Sequence, residues 1–229
     1  MATPYCLIRL SVTSSTQDDA RRAYRGRPVV VVADRQNHGR GRRDREWVNA
    51  PGALAVSVAC EPRWEKERWG LLPLMAGWQA ARVLGARVVL KWPNDLLVGP
   101  DKVGGILVEA SGSLVVAGCG FNLWWPDPPP GMAGLDGRPP GSRRRDEIAH
   151  AWAAGFVASA RDPGGGAFSL DDYRRRCVTI GQRVSWAGGG AGRAIDVDPE
   201  GALVVEGSSG RRTLRSEEVF HVRTAGGGS

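Results

Sequence analysis

Lysine is nearly missing from this chain of 229 residues. Of its 31 lysines and arginines, only Lys66, Lys91 and Lys102 are lysine. Where arginine is so strongly preferred, a retained lysine hints at a place that needs a compact ammonium rather than a guanidinium fork. Cysteine is also sparse. Cys6, Cys60, Cys119 and Cys177 stand far apart and form no C-x-x-C pair. That argues against a zinc site and, in a reducing compartment, against disulfides. No apolar run approaches the length of a membrane span. Met1-Ala2-Thr3-Pro4-Tyr5 lacks the basic-then-apolar pattern of a signal peptide. No internal repeat is present. A membrane protein and an exported disulfide scaffold are set aside, and a cytoplasmic location is expected.

Hydrophobic content of 42% and charged content of 24% are those of an ordinary globular protein. The net charge is +7, which by itself suggests a nucleic-acid partner. The charge is most concentrated in Gly39-Arg40-Gly41-Arg42-Arg43-Asp44-Arg45-Glu46-Trp47. Such a loop repels itself, and its glycines lose much backbone entropy on ordering. It is expected to be mobile until an anion arrives. A phosphate fits best, because guanidinium forks match its oxygens and glycines let backbone N–H groups come close. A solvated basic loop would have the same composition.

Hydrophobic periodicity predicts a strand over 8–12, then hydroxyls at a helix N-cap (Thr13 to Thr16) and a helix to about Arg25. Val29 to Ala33 and Ala53 to Cys60 read as buried strands, with the arginine loop leaving the end of the first. Residues 66–85 read as a helix in which Pro73 either makes a kink or places the true start later. Strands follow at 87–90, 96–98, 104–110 and 114–122. Residues 126–142 form a Pro/Gly-rich loop. Helices are predicted over 144–160 and 170–177. From Ile180 the chain changes to short strands with glycine-rich turns, the pattern of a small β-barrel.

Five motifs carry chemistry. Ser14-Ser15-Thr16-Gln17 puts hydroxyls and an amide at a helix start. Gln36 precedes the arginine loop and Trp47 closes it. Lys91-Trp92-Pro93-Asn94-Asp95 ends a strand with groups that can hold a ribose or a metal-bound nucleotide. Lys102-Val103-Gly104-Gly105-Ile106-Leu107-Val108-Glu109 places an ammonium beside two glycines that admit a ligand to the backbone. Gly118-Cys119-Gly120-Phe121-Asn122 repeats that device. In order and spacing, over roughly residues 8–125, the set resembles the biotin–protein ligases in their short form, without an N-terminal DNA-binding domain.

The resemblance implies an α+β fold: a mixed β-sheet packed with helices, class II synthetase-like, over 1–178. A small SH3-like β-barrel over 179–224 and a disordered tail over 225–229 would follow. It implies an ATP-dependent ligase. The biotin carboxylate attacks the α-phosphate of MgATP, giving biotinyl-5′-adenylate and pyrophosphate. A lysine of a biotin carboxyl carrier protein then takes the biotinyl group. Carried over by residue, Ser15, Thr16, Gln17 and Gln36 contact biotin. Arg40, Gly41 and Arg42 fold over biotin and the adenylate. Lys102 binds the carboxylate and the α-phosphoryl oxygen, with Gly104 and Gly105 beside it. Lys102, Arg40 and Arg42 are the catalytic cations. Arg43, Trp47, Lys91, Asn94, Asp95 and Asn122 serve the ATP and adenylate side, with Asp95 toward Mg2+.

Two positions depart from the family pattern. Asp44 stands where glycine is usual, and Gln17 where asparagine is. A carboxylate at 44 would pair with Arg43 or Arg45, or weaken adenylate retention. The motifs begin by Ser14, so no DNA-binding domain is expected; the protein would be a monomer or a homodimer. The alternatives are a lipoate or octanoate ligase on the same fold, a non-catalytic relative, and a nucleic-acid-binding protein.

Overall fold

The computed structural model describes residues 4–186, 190–215 and 219–222. The expected tail at 225–229 and the side chain of Asp44 lie outside the described residues. Seven strands form one mixed sheet in the order β1-β2-β3-β7-β6-β5-β4. They are β1 (Cys6–Thr13), β2 (Val29–Gln36), β3 (Gly52–Cys60), β4 (Val89–Lys91), β5 (Asp95–Val98), β6 (Asp101–Ser111) and β7 (Leu114–Trp124). β1 and β2 run parallel, joined by helix α1 (Thr16–Ala23). The other neighbouring pairs are antiparallel.

Strand alternation divides the side chains between two faces. Val30 and Val32 of β2, Leu54, Val56 and Val58 of β3, and Val115, Cys119, Phe121 and Leu123 of β7 enter the main core. Helix α2 (Leu72–Leu84) and helix α3 (Ser142–Arg161) cover that face. Each fully buried Leu or Phe there contributes about 1.5–3 kcal/mol. The predicted helix over 66–85 is two pieces: a 3-10 segment, Lys66–Leu71, and then α2. Pro73 sits in the first turn of α2, where its missing N–H interrupts no helical hydrogen bond.

The opposite face carries a much smaller core, Ala20, Val29, Val31, Ala59 and Val116, under α1. Beyond α1 its centre bears small side chains, Ala55, Ser57, Gly118, Gly120 and Gly105. One helix covers half of that face, and the small residues leave the other half concave.

The Pro/Gly-rich loop after β7 is more firmly tied than its composition suggests. Lys102 N–H donates to the Gly131 carbonyl (2.9 Å), Ala133 N–H to that of Lys102 (2.9 Å) and Leu135 N–H to that of Asn122 (2.9 Å). A short helix, α4 (Leu170–Arg176), leads to a second sheet. It comprises β8 (Arg183–Trp186), β9 (Ala191–Val197), β10 (Leu203–Gly207), β11 (Gly210–Leu214) and β12 (Val219–Val222). Its order is β11-β10-β9-β8-β12, antiparallel throughout. This is the small all-β unit expected from Ile180 onward. Its inward residues, Val184, Ala194, Val197, Leu203, Val205 and Leu214, join the main core. The Trp92 indole N–H donates to the Gly201 carbonyl at 3.0 Å, tying this unit to the turn between β4 and β5.

Candidate active site

The concave half of the sheet holds a cavity of about 400 Å³. Its back wall is the start of α1. The Ser15 hydroxyl accepts from the Asp18 N–H and caps the helix. Thr16 donates to Gln36 Oε1 from both its N–H (2.8 Å) and its hydroxyl (2.9 Å). The same hydroxyl lies 2.7 Å from that of Ser57. Gln17 Nε2 donates to the Leu107 carbonyl at 3.1 Å, fixing α1 against β6. Thr16, Gln17, Gln36 and Ser57 line the cavity. Buried or half-buried side chains held this firmly keep their geometry when a polar ring or chain is bound.

The floor is glycine. Gly105 and Gly120 pair across β6 and β7, and the Trp47 indole lies over both. A Cβ at Gly120 would stand 2.7 Å from that indole, and one at Gly105 3.0 Å. Gly104 opens the opposite face, where an added Cβ would meet the Gly120 carbonyl at 2.8 Å.

The arginine loop forms the lid, and it has internal order. Trp47 N–H donates to the Gly39 carbonyl (2.7 Å) and Gly41 N–H to that of Arg45 (2.6 Å), making a short hairpin bridged at Arg40 and Glu46. A 3-10 turn, Arg42–Asp44, forms the tip. The left-handed residue there is Arg43, at φ 58°. A non-glycine residue in that region costs about 1–2 kcal/mol. Self-repulsion alone would keep such a loop open. Carboxylates outside the loop, Asp18 and Glu109, hold Arg40.

The turn between β4 and β5 supplies the remaining wall. Lys102 Nζ lies 2.6 Å from Asp95 Oδ1 and 5.4 Å from the Trp47 ring centre. Asn94 donates to the Ile106 carbonyl at 3.1 Å, and Arg42 Nη1 reaches Asn94 Oδ1 at 3.4 Å. Arg40, Arg42, Arg43, Arg45, Lys91 and Lys102 line the cavity against two carboxylates, Glu46 and Asp95. Even with Arg40 already held by Asp18 and Glu109, the lining cations outnumber the lining anions, which favours a polyanionic ligand. Among the described residues no group of three His, Cys, Asp or Glu is gathered for a metal. A divalent ion fits here only if ligand phosphates complete its shell around Asp95. Cys119 is no nucleophile: it enters the core, and burial pushes its thiol well up.

Most of the residues named from sequence meet here, and three stand outside. Ser15 is committed to its helix cap, Gly104 faces Leu96 and the Gly120 carbonyl, and Asn122 is fully buried and does not line the cavity. Neither polar atom of the Asn122 amide has a protein partner. Ser57 and Met132 line the cavity without having been singled out. Ser57 left a trace, as the one hydroxyl in the apolar run of β3.

Residues 9–122 match the Biotin/lipoate A/B protein ligase family. The biotin–acetyl-CoA-carboxylase ligase of Paracoccus denitrificans is 31% identical, over 92% of this chain and 98% of that protein. The enzyme of the same name from Mycobacterium tuberculosis is also 31% identical, over 85% of this chain and 79% of its own length. Among solved structures, the biotin protein ligase of Aquifex aeolicus in complex with biotin and ATP superposes with a TM-score of 0.79. That match covers 96% of this chain and 99% of the other at 24% identity, a likeness of fold.

Proposed function

This chain belongs to the family of biotin–acetyl-CoA-carboxylase ligases, and on that premise we propose that it couples biotin to a carrier protein at the expense of ATP. The observation that carries the reading is the cavity itself. A polar, largely buried wall (Thr16, Gln17, Gln36, Ser57) shares this glycine-floored cavity with six cations, four on the lid and two, Lys91 and Lys102, at the strands below it. The first suits an uncharged ring that offers and accepts hydrogen bonds. The second suits a carboxylate being joined to a phosphate.

In the first step a biotin carboxylate oxygen bonds to the α-phosphorus of ATP, and the bond to the β-phosphate oxygen breaks. Pyrophosphate leaves and biotinyl-5′-adenylate remains. Negative charge builds on the oxygens around phosphorus, and fixed cations stabilise it. Lys102 is assigned this role, with Arg40 and Arg42 in support. Its contact with Asp95 fixes the ammonium in place, and Trp47 shields it from water. Asp95, together with the ATP phosphates, would hold Mg2+, which would offset part of their charge. Arg43, Trp47, Lys91, Asn94 and Asp95 are assigned to the nucleotide. Asn122 is assigned to this side; it follows Gly118 and Gly120 on the same face of β7, and its buried amide is unpartnered by protein. In the second step a lysine amine of a biotin carboxyl carrier protein attacks the acyl carbon and AMP leaves. An acyl adenylate hydrolyses, so a lid that excludes water protects it.

In this reading residues 1–178 carry the chemistry, and 179–224 support it through the Gly201–Trp92 contact. The enzyme works in the cytoplasm as a monomer or homodimer, without DNA. Much of its arginine charge is already paired. Arg9, Arg21, Arg40, Arg144, Arg145 and Arg174 all contact carboxylates, which leaves less for a phosphate backbone. The test is incubation with ATP, labelled biotin and a carrier domain. Label should reach a single carrier lysine only when ATP is present, and lipoate should not replace biotin. Transfer of lipoate alone overturns the biotin reading. No transfer, with salt-sensitive DNA binding instead, overturns the ligase reading.

A further inference from the structure

Two carboxylates outside the cavity grip the lid. The Arg40 guanidinium forks onto Asp18, with Nη1 at 3.2 Å from Oδ2 and Nη2 at 2.9 Å from Oδ1. Nη2 also reaches Glu109 Oε2 at 3.1 Å. Glu109 accepts from Arg21 at 3.0 Å as well. Three segments meet in this cluster. Asp18 and Arg21 lie on α1, Glu109 on β6 and Arg40 in the lid. Neither Asp18 nor Glu109 lines the cavity. Glu109 stands four residues beyond Gly105 on β6, so it shares the face on which the cavity opens.

The lid cannot close by its own chemistry. Its arginines repel one another, and Arg43 holds a left-handed backbone. An external anion must fix it, and a two-point fork fixes orientation as well as distance. We propose that Asp18 and Glu109 are positioning residues that hold Arg40, and through it the closed lid. They thereby set how long the activated acyl adenylate is kept before the carrier lysine takes it. Arg40 then supports the reacting phosphate through the lid that it anchors, with Arg42 and Lys102 left to touch it. The proposal rests on the ligase reading of the cavity. The grip is about one-third exposed on each side, so salt weakens it.

The test compares the wild-type enzyme with Asp18→Asn, Glu109→Gln and the double variant. Asp18 also sits in the first turn of α1, where its charge favours the helix. Glu109→Gln, on a strand, is free of that effect. Two rates are read: loss of biotinyl-5′-adenylate after a single turnover, and trypsin cleavage within residues 40–45 of the ligand-free protein. In the double variant both should rise about fivefold, equivalent to about 1 kcal/mol. The rate of adenylate formation and the unfolding midpoint should not change. Glu109→Asp, which keeps the charge, should recover part of the retention. Salt at about 1 M, where the screening length is about 3 Å, should speed both rates in wild type but not in the double variant. Unchanged rates, or slower adenylate loss because a freed Arg40 turns onto the ligand, would overturn the proposal. If the wild-type enzyme forms no adenylate, the ligase reading fails on that count alone. The trypsin comparison then still decides whether the acid pair holds the lid.

Discussion

At the scale of single residues, Lys102 and Gly120 test the site most sharply. Lys102 Nζ has one close carboxylate, Asp95, at 2.6 Å, and both side chains are about one-quarter exposed. Lys102→Ala should slow adenylate formation about 10²–10³-fold, by analogy with a lost oxyanion donor. A partly exposed pair adds under about 1 kcal/mol to stability, so the unfolding midpoint should barely move. Biotin-dependent pyrophosphate release measures the first, and thermal denaturation the second. Gly120→Ala acts differently. Its methyl would stand 2.7 Å from the Trp47 indole and lift the ring from the floor. KM for biotin should rise more than about tenfold, since misplacement of about 1 Å is expensive in a preorganised site. A normal KM would show that the indole has room to shift.

Much of this chemistry is written in local strings, because turns and glycine pairs are local features. Lys102 stood out as one of three lysines beside two glycines, and Thr16 and Gln17 as polar groups at a helix start. The Lys102–Asp95 pair was not legible. It depends on the register of β5 on β6, which shifts between Leu96 and Leu97 and sets Leu97 opposite Lys102. Ser57 read as one residue of an apolar strand, and only the fold brings its hydroxyl to Thr16. The grip of Asp18 and Glu109 on Arg40 spans 22 and 69 residues of sequence, beyond any motif.

At the scale of elements, helix α3 shows packing overriding propensity. Gly155 lies in its interior, where alanine would ordinarily gain about 1 kcal/mol. An added Cβ there would overlap the Gln79 side chain of α2. Gly155→Ala should therefore destabilise the protein by about 1–3 kcal/mol, the usual cost of overpacking. A lowered urea midpoint with an unchanged slope would confirm it; a raised midpoint would contradict it. Pro73 carries the reverse lesson. In the 66–85 stretch it left a kink or a later start open, and the structure takes the second: the proline marks where α2 begins.

At the scale of the whole molecule, the second sheet supports the active turn. Gly201 adopts φ +88°, and its position admits no Cβ: one would stand 2.9 Å from the Gly70 carbonyl. Its own carbonyl accepts from Trp92, two residues before Asn94. Gly201→Ala should cost about 1–3 kcal/mol in strain and also slow adenylation, which separates support of the site from mere stability. An unaltered adenylation rate in the folded variant would remove the second sheet from the account. Burial also gives the molecule an alkaline limit. The Cys60 thiol is pushed up to about 12, whereas in an unfolded chain it ionises near about 8.5. The stabilisation is complete below about 8.5 and is lost progressively as pH rises toward 12. The denaturation midpoint should fall over that window. Native alkylation should modify exposed Cys6 well before Cys60, Cys119 or Cys177.

The central claim is that this cavity joins a biotin carboxylate to the α-phosphate of ATP. Isotope exchange between pyrophosphate and ATP, run without carrier protein, tests it most directly. Label should enter ATP only when biotin is present, and Lys102→Ala should slow the exchange about 10²–10³-fold. Exchange supported by lipoate or octanoate but not biotin, or no exchange with any of the three, would contradict it.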